Sequence, residues 1–314
     1  RKEPEYETFL AENAHWLPDY ALFMALKDAG GGTPWWQWPE ELRRREPRAL
    51  ARTGEELREE TDFWRGVQYL FFRQWQKLKE YVNGRGIGLI GDLPIYVALD
   101  SADVWAGPEL FQLDRELVPT EVAGCPPDAF AVDGQLWGNP LFDWERMEAD
   151  GYAWWIGRIA HQLRLYDMLR IDHFRGFESY YAIPFGEETA RNGRWRPGPG
   201  MKLFRAVEAA LGQKDIIAED LGYLTPEVRQ MLAESGFPGM KVLQFAFDSR
   251  EESDYLPHNY DKNCVVYVGT HDNDTALGWL DTVSPEDRRY AMDFLKLPGA
   301  VGYHWGLMRG AWAS

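Results

Sequence analysis

Four acidic residues close apolar runs along the chain. Asp172 ends Leu169-Arg-Ile-Asp172, Glu219 ends Ile216-Ile-Ala-Glu219, and Asp272 follows Cys264-Val-Val-Tyr-Val-Gly-Thr-His-Asp272; Asp92 precedes them at the end of Ile87-Gly-Leu-Ile-Gly-Asp92. If the runs are strands of one closed sheet, their ends converge on one mouth. Carboxylates gathered there repel one another and push at least one pKa upward, which no structural need explains. Glycoside chemistry uses that arrangement. An ionised carboxylate attacks the anomeric carbon, a second carboxyl kept protonated by its surroundings gives its proton to the leaving oxygen, and a short gap between them leads to retention. Side chains two apart on a strand share a face, so Arg170 lies beside Asp172 and favours its charged form, as a nucleophile or electrostatic stabiliser requires. Read locally, the same pair is equally a structural ion pair. Glu219, behind Ile216, Ile217 and Ala218 and ahead of Asp220, suits the proton donor; the bland alternative is an acidic pair capping the next segment. Asp272 and His271 would grip ring hydroxyls. A metal held by His271, Asp272 and Asp274 is the competing reading, but no second His or Cys stands at ligand spacing.

The elements that must position these acids alternate. Helix 152–165 leads to strand 166–172, helix 200–211 to strand 215–219, helix 225–235 to strand 240–247, and strand 264–269 to helix 284–296. Thr225-Pro226 and Ser284-Pro285-Glu286 are helix starts, with an N-cap hydroxyl and Pro at the first helical position. Strand–helix repeats with aliphatic strands predict a parallel sheet with its active site at the strand C-termini. An α/β barrel with insertions accommodates 314 residues.

Before that array, residues 1–60 read as helical: Pro18 to Lys27 ended by Gly30-Gly31-Gly32, then a charged stretch from Glu40 to Glu60. Thr33-Pro-Trp-Trp-Gln-Trp-Pro39 reads as a packing corner, with a glycan-stacking shelf as the alternative. Apolar residues at 63, 67, 70, 71, 75, 78 and 82 mark one amphipathic helix from Asp62 to Val82, whose apolar face needs a sheet to cover. Gly86-Ile-Gly88-Leu-Ile-Gly91 formally matches the dinucleotide fingerprint, yet its glycines fall within a strand and not between a strand and a helix. Residues 93–145 are rich in turn residues and poor in regular pattern, and 124–140, with Pro126-Pro127 and Asn139-Pro140, reads as a lid or rim over a cleft.

A net charge of −16 argues against nucleic acid or an anionic membrane as partner. Aromatics at 15%, with 15 Trp, supply flat faces for sugar stacking or for packing. Two cysteines, Cys125 and Cys264, rule out a disulfide framework. No secretory or transit pattern and no long apolar run is present, so the cytoplasm is expected, or a plastid if the source is a plant or alga. The start at Arg1 and the stop at Trp312-Ala313-Ser314 in mid-pattern predict continuation at both ends.

Seven stretches then occur in one order: Trp16-Leu-Pro-Asp-Tyr-Ala-Leu-Phe-Met-Ala-Leu-Lys27, Gln68-Tyr-Leu-Phe-Phe-Arg-Gln-Trp75, Ile90-Gly-Asp-Leu-Pro-Ile-Tyr-Val97, the Pro126–Trp144 segment, Leu169-Arg-Ile-Asp-His-Phe-Arg-Gly176, Ala218-Glu-Asp-Leu-Gly222 and Gly269-Thr-His-Asp-Asn-Asp-Thr275. Together they resemble family 77 of the glycoside hydrolases, the 4-α-glucanotransferases. The resemblance implies a TIM-type (β/α)8 barrel related to the α-amylase clan and retaining transfer of α-1,4-glucan segments to glucose or maltodextrin. It implies Asp172 as nucleophile, Glu219 as acid/base and Asp272 as transition-state stabiliser. Arg170, Asp92 and His271 would line the donor sugar site, and Gln135 and Trp137 would touch the acceptor-side glucan. It further implies maltodextrin, starch or glycogen-derived glucans as substrates, with no metal and no cofactor. Residues 1–82 would be a helical insertion packing on the barrel, and 83–314 part of the barrel itself, with 93–145 as an insertion loop. Family members carry barrel strands before residue 10 and after residue 314, so the barrel is expected to be incomplete here. Cys125 replaces a more usual valine and Ala131 a small hydroxyl residue. An α-amylase-like hydrolase and an inactive glucan-binding fragment are the alternatives.

Overall fold

Before residue 84 the regular elements described are all helical. A computed structural model describes residues 4–127, 131–222, 224–250, 253–297 and 302–314. Its first helices are α1 (Pro4–Glu12), α2 (Leu17–Ala29), α3 (Glu40–Arg43), α4 (Pro47–Glu56) and α5 (Arg58–Asn83). The charged stretch 40–60 is therefore not continuous. It breaks where Arg45 takes a left-handed backbone (φ 55°) and Pro47 opens α4. The tryptophan corner is packing: Trp35 and Trp38 are buried, and their Nε1 groups donate to the carbonyls of Leu99 (2.7 Å) and Thr33 (3.1 Å). Trp38 also packs against Phe23 and Trp105.

The apolar face read on α5 is real but only partly covered, with Val67, Trp75 and Val82 half-buried. Phe63 is 61% exposed, and Leu70, Phe71 and Leu78 are exposed as well. The fully buried residues are Thr61 and Tyr69, the latter in a cluster with Phe9 and Leu17. Periodicity locates an apolar stripe; it cannot say which neighbour covers it.

By contact density the chain forms two compact units, residues 1–169 with 176–214, and residues 170–175 with 215–314. The first continues with β1 (Ile90–Leu93), α6 (Ala102–Ala106), β2 (Glu121–Cys125), β3 (Gln135–Pro140), α7 (Trp144–Ala149), α8 (Ala153–Leu165), the start of β4 (Met168–Ile171), β5 (Ser179–Pro184), β6 (Arg194–Pro197) and α9 (Met201–Leu211). Asp167 and Met168 donate their N–H groups to the Leu89 carbonyl at the entrance to β1. A Cβ on Gly91 would lie 2.2 Å from the Tyr166 ring, so this glycine serves close packing and not a phosphate.

Residues 93–145 are more ordered than expected. β2 and β3 form an antiparallel hairpin inside a four-stranded sheet of order β3-β2-β5-β6, with Val122 opposite Ile183 and Tyr181 opposite Trp195. Of the expected lid at 124–140, residues 124–125 end β2 and 135–140 form β3, 126–127 and 131–134 are turn or irregular, and 128–130 lie outside the described residues. Val122, Tyr181, Ile183 and Ala190 form its core, while buried Glu121 receives paired hydrogen bonds from Arg194 and Arg196 at 2.9–3.2 Å. Strands of four to six residues, two of them held by such ion pairs, leave too little alternation to read. A Cβ on Gly124 would sit 2.1 Å from the Gln135 carbonyl oxygen, within the hairpin's own backbone. Gly124→Ala is expected to cost about 1–3 kcal/mol in urea unfolding; an unchanged midpoint would contradict this register.

The second unit takes the end of β4, then β7 (Ile216–Ala218), α10 (Pro226–Ser235), β8 (Gly239–Val242), β9 (Cys264–Tyr267), α11 (Ala276–Thr282), α12 (Pro285–Phe294) and α13 (Tyr303–Trp312). The parallel expectation holds for β8 and β9, which pair from Gly239↔Cys264 to Val242↔Tyr267. β7 is buried at all three positions. Thr225 and Ser284 cap α10 and α12 as their sequences predict, accepting from the N–H groups of Val228 and Asp287. The strand expected at 240–247 stops at Val242 and becomes a 3-10 turn, Leu243–Ala246. Leu243, Ala246 and Phe247 all enter one cluster with Leu256, Leu280, Leu295 and Leu307, a spacing of three to four that a strand cannot bury on one face. Among the described residues no helix is long and apolar enough to cross a membrane, and both cysteines are free.

Candidate active site

β4 and β7 run side by side, and each is followed at once by an acid: Asp172 after Ile171, and Glu219 after Ala218. The Glu219 N–H donates to the Ile171 carbonyl at 2.9 Å, so backbone pairing alone makes the two acids neighbours. Their environments differ. Asp172, 41% exposed, forms an ion pair with Arg170, Nη1 to Oδ1 at 2.9 Å, and the Arg170 side chain is only 11% exposed. Arg170 is held in turn by donating from Nε to the Met240 sulfur at 3.4 Å. Glu219 is buried. Its Oε2 accepts the His173 N–H and its Oε1 the Leu221 N–H, both at 2.8 Å. Burial, and after it the nearby Asp172 charge, push its pKa up to about 7 against the pull of the two N–H donors and Arg170. One carboxyl is Arg-paired and open; the other is buried and poised to give or take a proton near neutrality.

The second acid of the Glu219-Asp220 pair behaves differently from expectation. Asp220 is buried and accepts the Met240 N–H at 2.6 Å, pinning the start of β8. Burial raises its pKa too, but the charge acting on Glu219 is that of Asp172. Asp220 thus braces β8 and not the segment directly after it, and for Glu219 burial and Asp172 replace the expected neighbour.

Asp272 does not end a strand. β9 stops at Tyr267, and Asp272 lies five residues on, in a turn closed by Asn273, whose Oδ1 accepts from the Thr270 N–H and hydroxyl at 2.9 and 3.1 Å. His271 Nε2 and Asp272 Oδ1 are 3.4 Å apart, and both side chains are about two-thirds exposed. The buried Gln244 amide anchors this turn by donating to the Asp274 carbonyl at 3.1 Å. Among the described residues no group of three or more His, Cys, Asp or Glu side chains is placed to hold a metal.

The structure therefore brings Arg170, Asp172 and Glu219 together and pairs His271 with Asp272, all in the second unit. The first unit holds the remaining three. Asp92 is on the exposed face of β1. Gln135 and Trp137 are on β3, where the indole Nε1 donates to Gln135 Oε1 at 3.0 Å and the ring lies 6.2 Å from that of Tyr96. Sequence reasoning missed the main-chain donors at His173 and Leu221 and the sulfur acceptor of Met240. A main-chain N–H leaves no mark in a sequence; the one available signal was a His directly after the acid, since His is among the few residues enriched in left-handed backbone.

A family model described as 4-alpha-glucanotransferase, glycoside hydrolase family 77, matches residues 1–314. The chain is 48% identical over 316 residues to a 4-alpha-glucanotransferase of Clostridium butyricum, covering 100% of this chain and 65% of that protein. It is 51% identical over 315 residues to a Synechocystis 4-alpha-glucanotransferase, covering 99% and 62%. Its structure is similar to that of the Streptococcus agalactiae amylomaltase in complex with acarbose, with TM-score 0.95 and 42% identity over 98% of this chain and 63% of that one. The chain thus spans 62–65% of the length of these three proteins.

Proposed function

Because this chain belongs to glycoside hydrolase family 77, the 4-alpha-glucanotransferases, we propose that it carries the acid pair of a retaining 4-alpha-glucanotransferase. In this reading the Asp172 carboxylate attacks C1 of an α-1,4-linked glucose unit while Glu219 gives its proton to the departing 4-oxygen. The C1–oxygen bond breaks, a shorter glucan leaves, and a β-glycosyl ester remains on Asp172. Glu219, now ionised, takes the proton from the 4-hydroxyl of glucose or a maltodextrin as that oxygen attacks C1. The ester bond breaks, the α-linkage is restored, and both acids return to their starting states. Neither half calls for a metal or cofactor. Arg170, Asp92 and His271 are assigned to the donor sugar, Asp272 to charge stabilisation as the ring flattens, and Gln135 and Trp137 to the acceptor side.

The observation that carries the reading is the pair itself: an open, Arg-paired Asp172 beside a buried Glu219 whose pKa lies near 7. We extend the proposal to a (β/α)8-type barrel, with residues 1–82 as a helical layer packed on it. Maltodextrin and starch- or glycogen-derived glucans are the proposed substrates, and the cytoplasm or a plastid the place of work. Transfer exceeds hydrolysis where a held sugar hydroxyl outcompetes water. Incubation with maltotriose is expected to yield glucose and a ladder of longer and shorter maltodextrins with little net gain of reducing ends. A steady gain with no product longer than the substrate would mark a hydrolase, and binding without conversion a glucan-binding fragment.

A further inference from the structure

Five non-glycine residues of the described chain adopt positive φ, and one of them, His173 at φ 50°, directly follows Asp172. A left-handed backbone is disfavoured for an L-residue, so the surrounding structure must hold it there. What it accomplishes is visible in the hydrogen bonds. Two consecutive N–H groups point at one residue: that of His173 reaches Glu219 Oε2 at 2.8 Å, and that of Phe174 reaches the Glu219 carbonyl at 2.9 Å. Consecutive main-chain N–H groups turned to one side form a concavity suited to an anion. With the Leu221 N–H on Oε1 and its own N–H on the Ile171 carbonyl, Glu219 is tied at four points. Its carboxyl cannot rotate without losing both donors.

We propose that His173 is a positioning residue for Glu219, its left-handed turn fixing the carboxyl's orientation directly behind the nucleophile. The proposal rests on the acid/base reading of Glu219. The same turn begins at Asp172, so one backbone feature sets the placement of both acids. The imidazole adds no charge at neutral pH, because burial and then Arg175 hold its pKa down near 4. The charged and titratable groups that act on Glu219 from its packed neighbours are Asp172 and Arg170 on the β4 side; Tyr255, which follows β8, also feels its charge, while Asp220 turns to the Met240 N–H.

The test is an amide titration of the isotopically labelled 314-residue chain, which requires no turnover. The His173 and Leu221 amide resonances are expected to move together with one midpoint near pH 7, and that step should vanish in Glu219→Gln. His173→Gly and His173→Asn accept positive φ and should keep the Leu221 midpoint, whereas the β-branched His173→Val should raise it by about 0.5 unit or more, because a carboxylate that loses a donor is a weaker acid. In maltotriose transfer, His173→Val should lower kcat about tenfold relative to His173→Asn, with KM unchanged. Absence of a common titration, or equal effects of Gly, Asn and Val, would overturn the proposal in favour of a role for the imidazole or none. If His173→Val fails to fold, the wild-type titration still decides. Full transfer activity in Glu219→Gln would instead remove the acid/base reading and leave the titration result standing.

Discussion

Asp172→Asn is expected to reduce maltotriose disproportionation by at least about 10⁴-fold, the scale seen when a covalent catalyst's nucleophile is removed. The amide keeps the size of the side chain and an oxygen that can accept from Arg170, but it cannot form the glycosyl ester. The fold should persist, since a partly exposed ion pair such as Arg170–Asp172 contributes at most about 1 kcal/mol. A donor with a good leaving group gives a second readout: a glycosyl mass on the peptide holding Asp172 in the wild type and none in the variant. Turnover like that of the wild type would take the nucleophile role away from Asp172.

Glu219→Gln should lower kcat by roughly 10²–10⁴-fold, the usual range for a positioned general acid. Its pH signature is more specific. With a pKa near 7, Glu219 is protonated below neutrality and loses its proton above it, so donor cleavage should fall as pH rises through about 7. That alkaline limb should be missing from the variant's residual activity. Stability carries the same signature. The folded pKa lies above the ordinary value of 4.5, so between about 4.5 and 7 the folded chain holds a proton that the unfolded chain has released. Unfolding free energy should therefore decline across that window, by about 3 kcal/mol once pH exceeds 7. Urea unfolding at pH 5 and pH 8 measures it. The decline should be largely absent in Glu219→Gln, and an equal decline there would place the titrating group elsewhere.

The starts of α10 and α12 are settled within four residues, by a hydroxyl and a proline, and the structure has both where the pattern predicts. The aliphatic runs before Asp172 and Glu219 form strands as their composition predicts, β7 buried at every position and β4 on the Leu169 and Ile171 face. On α5 the same kind of pattern identified an apolar stripe correctly but not how much of it is covered, because burial belongs to a pair of surfaces and only one was in view. The β2–β3 hairpin escaped notice because its stability comes from partners such as Ile183 and Arg194, some 60 to 70 residues away.

Within the site, residue types alone determined the chemistry on offer: an Arg two positions before an acid, a second acid behind aliphatic residues, and a His-Asp pair further on. Which acid is open and which is buried, and that Asp172 rather than Asp220 raises the pKa of Glu219, followed only from the pairing of β4 with β7. The displacement of Asp272 into an exposed turn likewise depended on where β9 could stop. A side chain's identity is written in the sequence. Its ionisation depends on water excluded and charges brought near by residues distant along the chain, and the N–H groups that orient Glu219 belong to a backbone turn that side-chain identity does not specify.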